Sequence, residues 1–263
     1  MRTPLDYLVQ TDNVKRSRFA LEELKRRHQA APGRSILVIQ GLTGRGKTSW
    51  AEFQAVQDPL CEYLEAKSNW SPSWMLRDVA EALGMTRAHS TEENYRAVVE
   101  LQRRRPRLLM LDEAERIVRS ERLLETLREL HDEGLPLVLL GETGSWSNTT
   151  RTGVWSGISR KSPRFADRVG QVVEFGDIRA ADIADAALHL NDLKLNGQEN
   201  YLHQQAGGNF RRAAKILTEL EAVCKANPGE INRARVDLAI KNLQLAEARE
   251  QRRSLRQAAA GGA

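Results

Sequence analysis

Aromatic side chains make up only 5% of this 263-residue chain, and cysteine occurs twice. Cys61 and Cys224 are too few for a disulfide framework and too far apart for metal-ligand spacing. No apolar run approaches the ~20 residues of a membrane span, and the N-terminus lacks a signal-peptide core. The expectation is a soluble, cytoplasmic chain with reduced thiols and no membrane partner. So few aromatics also argue against a β-sandwich and suit a helix-rich α/β architecture. The formal charge of +5 favours polyanionic partners. The length allows one large domain or two moderate ones.

What is present starts at Ile36. Ile36 to Ile39 form a short β-branched run of the kind buried on both faces of a parallel sheet. Gly41 to Thr48 then fit G-x-x-x-x-G-K-[ST] without a mismatch. Such a loop turns its backbone N–H groups around a phosphate, and the helix that follows adds its positive end. The candidate nucleotide contacts are therefore Gly41, Leu42, Thr43, Gly44, Arg45, Gly46, Lys47, Thr48 and Ser49. Lys47 would reach the outer phosphates, and the Thr48 hydroxyl would bind Mg2+. A second apolar run, Leu108 to Leu111, ends in Asp112 and Glu113. Asp112 would hold the magnesium shell with Thr48, and Glu113 would polarise the attacking water. Paired acids favour hydrolysis of ATP over phosphate transfer to a small molecule.

Strand and helix patterns alternate around these motifs. Asn13 to Gln29 reads as a helix, Leu60 to Ala66 as a strand, and Ser73 to Gly84 as an amphipathic helix closed by glycine. Ser90 caps a further helix with acids in its first turn. "LPLVLLGET" and "QVVEFGDI" supply two more strands. Alternation of this sort predicts a parallel sheet covered by helices on both faces, with ligands outside the carboxyl ends of its strands. From about Asp177 the patterns are all helical. The expected organisation is an N-terminal helical segment (1–34), an α/β domain (35–176), a small helical lid (177–257) and an unfolded tail (258–263).

Two arginine-bearing stretches complete the set. In "SPRFADRV", Arg164 and Arg168 precede the last strand, placed to project toward a neighbouring subunit's phosphates. In "GGNFRRAAKIL", Arg211 opens a helix of the second domain, where a cation is unfavourable to the helix dipole.

In this order, "GLTGRGKT", "LLMLDEAERI", "LVLLGET", "SPRFADRV" and "GGNFRRAAKIL" resemble an AAA+ ATPase. More narrowly, "LDEAERI" and the "RF" before the last strand resemble the transposition ATPases of the phage Mu B and TniB/TnsC kind, themselves close to IstB-type and origin-loader ATPases. The resemblance covers roughly residues 10–245, more than the ~100–200 expected of one domain. It implies ATP-dependent helical homo-oligomers on double-stranded DNA that select insertion sites and activate a transposase. By position, it assigns the phosphate-loop roles to Lys47 and Thr48, and the magnesium and water-activating roles to Asp112 and Glu113. Arg164 takes the finger position, with Arg160 and Arg168 as competitors, and Arg211 that of the second sensor. One departure stands out: the sensor position, usually a neutral polar residue, falls on Gly141-Glu142-Thr143. Either Thr143 takes that role or Glu142 faces away. The chain also begins close to the ATPase core, without room for the helix-turn-helix domain some relatives carry in front.

In such relatives DNA runs through a pore lined by elements after the second strand and before the acid-bearing strand. Lys67, Arg87, Thr91, Asn94 and Arg96 are the matching candidates here for phosphate contact. Trp70 and Trp74 read as packing residues, and Arg103 to Arg105 as cations that offset a helix dipole. Three rival readings keep the same phosphate loop: a replication or helicase-loading ATPase, a small-molecule kinase, and a nucleotide-gated signalling switch.

Overall fold

The computed structural model describes residues 6–30, 35–143 and 153–260. Five parallel strands form one sheet in the order β2-β3-β4-β1-β5. These are β1 (Ile36–Gly41), β2 (Cys61–Glu65), β3 (Leu108–Asp112), β4 (Leu137–Gly141) and β5 (Val169–Phe175). The three central strands are buried almost throughout. That is why they read as unbroken apolar runs and not as alternating ones.

The pleat sorts these apolar residues onto two faces. Ile36, Val38, Leu109, Leu111, Leu137 and Leu139 join one core cluster with Met75, Leu76 and Val79 of α3 (Pro72–Ala82), Val98 of α4 (Thr91–Arg104) and Leu124 and Leu127 of α6 (Glu121–Asp132). The alternate residues Leu37, Ile39, Met110 and Leu140 are equally buried. The helices that touch the sheet there are α1 (Asp12–Ala30) and α2 (Lys47–Gln57). Trp50 of α2 and Leu21 of α1 are fully buried. Each such side chain contributes about 1.5–3 kcal/mol, so a helix layer on either side is what keeps an all-apolar sheet out of water.

Helix starts follow their caps. Ser71 accepts from Trp74 N, with Pro72 at the first helical position. Ser90 and Glu93 form a reciprocal capping box at the head of α4. Short helices α5 (Glu115–Val118), α7 (Val154–Lys161) and α8 (Pro163–Ala166) fill the connections after β3 and before β5.

Residues Asp12–Gly176 form one compact unit, and Asp177–Ala263 form another together with the first eleven residues. The second unit has its own core, in which Ile183, Ile216, Leu217, Leu220 and Val236 meet. Its helices are α9 (Ala180–Asn191), α10 (Glu199–Ala206), α11 (Phe210–Ala226) and α12 (Arg233–Ala260). Helices α10 and α11 are separated at Gly207 and Gly208, both at positive φ. The tail expected from residue 258 needs a correction. Helix α12 runs on through Ala258, Ala259 and Ala260, because alanine is the strongest helix former and extends a helix already nucleated by packing. Residues 261–263 lie outside the described residues.

Candidate active site

The loop between β1 and α2 is shaped by its glycines. Gly44 and Gly46 both take positive φ, at 78° and 92°, where a side chain would be strained. Gly41 is glycine for another reason: a Cβ there would lie 2.5 Å from the Phe175 carbonyl oxygen. Helix α2 begins at Lys47 and has no side-chain cap at Gly46. Its first N–H groups therefore point into the loop without an intrahelical partner. Leu42, Thr43 and Thr48 are exposed, whereas Arg45 and Lys47 are buried, and Gly44, Gly46 and Ser49 lie between.

Lys47 lies across this loop. Its Nζ donates to the Gly41 and Leu42 carbonyl oxygens at 2.8 and 3.1 Å. Burial lowers its pKa, against the pull of Asp112, Glu142, Glu115 and Glu113. A buried ammonium held by carbonyl dipoles, beside uncapped N–H groups, is the chemistry of an anion site. The residues present fit a nucleotide phosphate chain.

Asp112 sits at the end of β3, 4% exposed. Its Oδ2 accepts from the Thr48 hydroxyl at 2.7 Å and from the Tyr63 hydroxyl at 3.1 Å. Its Oδ1 accepts from the Glu113 N–H at 2.8 Å. Glu52, one turn beyond Thr48 on α2, has its carboxyl raised by burial and then by the Asp112 charge. A buried carboxylate bonded to a hydroxyl at the loop surface, with another acid nearby, is an oxygen donor set suited to Mg2+. Thr48 and Asp112 are the residues that would hold the ion.

Glu113 is half-buried and adopts φ 54°. Arg116 lies 3.3 Å from its carboxylate. Burial, then a hydrogen bond with Glu115 and the Glu115 charge, raise its pKa, while Arg116 opposes the rise. Glu115 also accepts from the Glu142 N–H at 3.2 Å. Glu142 and Thr143 follow β4, and Thr143 donates its hydroxyl to Glu174. Thus Thr143 is already engaged in this state, and Glu142 is close enough to act on Lys47.

The arginines separate clearly. Arg168 makes two bonds to Asp132 of the same chain, at 3.0 and 3.1 Å. Arg164, on α8, is exposed; its carbonyl accepts from Arg168. Arg160 is exposed at the end of α7. Arg211 is exposed on the first turn of α11 in the other unit, where Asn209 supplies the cap.

The candidate DNA contacts do not form one free basic surface. Lys67 and Trp70 both donate to Asp78, at 2.7 and 2.8 Å. Arg87 pairs with Glu81 and lies 3.6 Å from Asp78. Arg96 is exposed and pairs with Glu92 on the same helix. The Thr91 hydroxyl donates to Ser73 at 2.8 Å. Asn94 must be withdrawn. It is 1% exposed, and its amide bonds the Ala88 and Ser90 backbones, so it builds the turn before α4. Sequence reasoning missed Tyr63 altogether, because a tyrosine in a strand carries no motif.

A parallel sheet in this order, with a phosphate loop after β1 and an Asp-Glu pair after β3, defines the class: an AAA+ P-loop fold with a helical C-terminal region. Residues 27–147 match the family model described as an AAA domain. Among solved structures, the fold is similar to the ORC2 protein of Aeropyrum pernix in ADPNP-ADP complexes. The TM-score is 0.65 and the identity 18%, over 91% of this chain and 71% of that one. It is also similar to the Aeropyrum pernix ORC1 protein in complex with DNA, with TM-score 0.60 and 19% identity over 88% and 64% of the two chains. The RuvB Holliday junction branch migration motor of Thermotoga maritima gives TM-score 0.57 and 16% identity over 91% and 73%. No curated protein matches the chain in sequence.

Proposed function

We propose that this chain is an ATP-hydrolysing AAA+ protein that assembles on double-stranded DNA. The observation that carries the hydrolytic part is the meeting of Lys47, Thr48 and Asp112 at the carboxyl ends of β1 and β3, with Glu113 beside them. Lys47 and the α2 N-terminus bind the phosphates. Thr48 and Asp112 hold Mg2+, which supplies charge neutralisation at the outer phosphates. Glu113, freed from Arg116, orients water and takes its proton. Exposed Arg164 is the residue to reach a neighbour's nucleotide; Arg168 is spent on Asp132. Arg211 keeps its second-sensor assignment on the sequence resemblance.

DNA as the partner is supported by the basic composition and by two fold relatives, one solved with DNA and one a junction motor. Within that class we assign transposition target selection and transposase activation, on the order and wording of the five motifs. The origin-loader reading is favoured by one observation, the similarity to ORC1 and ORC2. Adding a transposase with a donor end, or a replicative helicase, separates the two. The underlying proposal is tested by sizing the protein with duplex and a non-hydrolysable ATP analogue at low salt. Large assemblies are expected with the wild-type chain and none with Lys47→Ala. A wild-type chain that stays monomeric refutes DNA assembly.

A further inference from the structure

Tyr63 has no part in the reaction described above, yet its hydroxyl touches the carboxylate on which the metal site depends. We propose that Tyr63 is a positioning residue for the divalent cation, acting by fixing the orientation of the Asp112 carboxylate. This rests on the magnesium–nucleotide reading of the site.

The argument begins with freedom. The χ2 torsion of aspartate is broad and nearly two-fold, so the bonds it makes decide where its oxygens point. Three donors hold Asp112: Thr48 and Tyr63 on Oδ2, and the Glu113 N–H on Oδ1. The Thr48 bond belongs to the metal-free state, since a hydroxyl that ligates a cation presents its oxygen to it. The Glu113 N–H and the Tyr63 hydroxyl then remain, gripping opposite ends of the carboxylate. Of these two, only Tyr63 is a side chain.

Its placement comes from the sheet. Tyr63 of β2 pairs with Met110 of β3, while Glu65 pairs with Asp112. Tyr63 is thus diagonal to Asp112, within reach of a long side chain. The ring is half-buried at the edge of the sheet, so the donor is held by the strand and not by a mobile loop. An Oδ2 lone pair given to Tyr63 still leaves the other for the place now taken by Thr48.

Loss of such an outer partner costs roughly 10–100-fold in metal affinity. With the Glu113 N–H still in place, the low end applies. The test is Tyr63→Phe in the full chain, with Mg2+ titrated against binding of a fluorescent ADP analogue. The half-saturating Mg2+ concentration should rise about tenfold. Nucleotide affinity in EDTA should stay at the wild-type value, and kcat at saturating Mg2+ should return close to it. Mn2+ binding followed by electron paramagnetic resonance, with a non-hydrolysable ATP analogue, should weaken in parallel. An unchanged metal midpoint overturns the proposal, as does an equal loss of affinity with and without metal. If the wild-type chain binds nucleotide without any magnesium dependence, the reading beneath it falls instead.

Discussion

At the scale of single residues, one of the non-glycine residues at positive φ, Glu113, lies where the chemistry is assigned; Asp192 and Asn196, the others among the described residues, do not. Glu113 holds a left-handed conformation at φ 54°, which costs a non-glycine residue on the order of 1–3 kcal/mol. Its carboxylate faces Arg116 at 3.3 Å, so in this state it is restrained. Glu113→Gln is expected to keep nucleotide and DNA binding and to lower kcat by about 10²–10⁴-fold, the usual worth of a general base. Single-turnover hydrolysis measured beside analogue binding checks this; parent-like turnover removes the role. Asp112, Glu113, Lys47 and Thr48 could be found in the sequence because each stands at a fixed distance from a glycine or an apolar run. Asn94 misled for the converse reason. A polar residue in a capping segment looks alike whether it faces solvent or closes the turn behind it.

At the scale of elements, close approach explains what tolerance would not. Glycine 41 ends β1 against β5, and Gly141 ends β4 with a would-be Cβ 2.3 Å from the Glu115 carboxylate and 2.5 Å from Val154. Gly41→Ala forces the Phe175 backbone to move, since its carbonyl oxygen is the obstacle. A destabilisation of about 1–3 kcal/mol is expected, seen as a lower urea midpoint with unchanged m-value. Nucleotide affinity should fall with it, because the same residue opens the phosphate loop. All five strands were legible, the three central ones as apolar runs, and α3 and α4 by their caps. Helices α5, α7 and α8 were not. They are short, and tertiary packing, which a sequence window does not see, stabilises them more than propensity does.

At the scale of the whole molecule, titration links the sheet unit to pH. His28, near the end of α1, is shifted below its ordinary 6.5, first by burial and then by His131. Its Nδ1 lies 2.9 Å from the Ser35 hydroxyl at the foot of β1. The folded state therefore prefers neutral His28, while the unfolded chain takes up the proton near 6.5. That stability is fully present above about pH 6.5 and is lost as pH falls toward the lowered folded value. The melting temperature is expected to drop from pH 7 toward pH 5.5, and His28→Gln should flatten part of that slope. Indistinguishable slopes for the two proteins would remove His28 as the cause.

The sequence by itself determined the strands, the longer helices and the glycine loop between β1 and α2, because apolar period, caps and glycine spacing are local and obligatory. Only the tertiary structure decided which side chains are engaged. It joined Tyr63 to Asp112, tied Arg168 to Asp132, and buried Asn94. The Tyr63 and Arg168 pairings depend on strand register and on which helix packs beside which, and such long-range pairings leave no mark in a stretch of neighbouring residues.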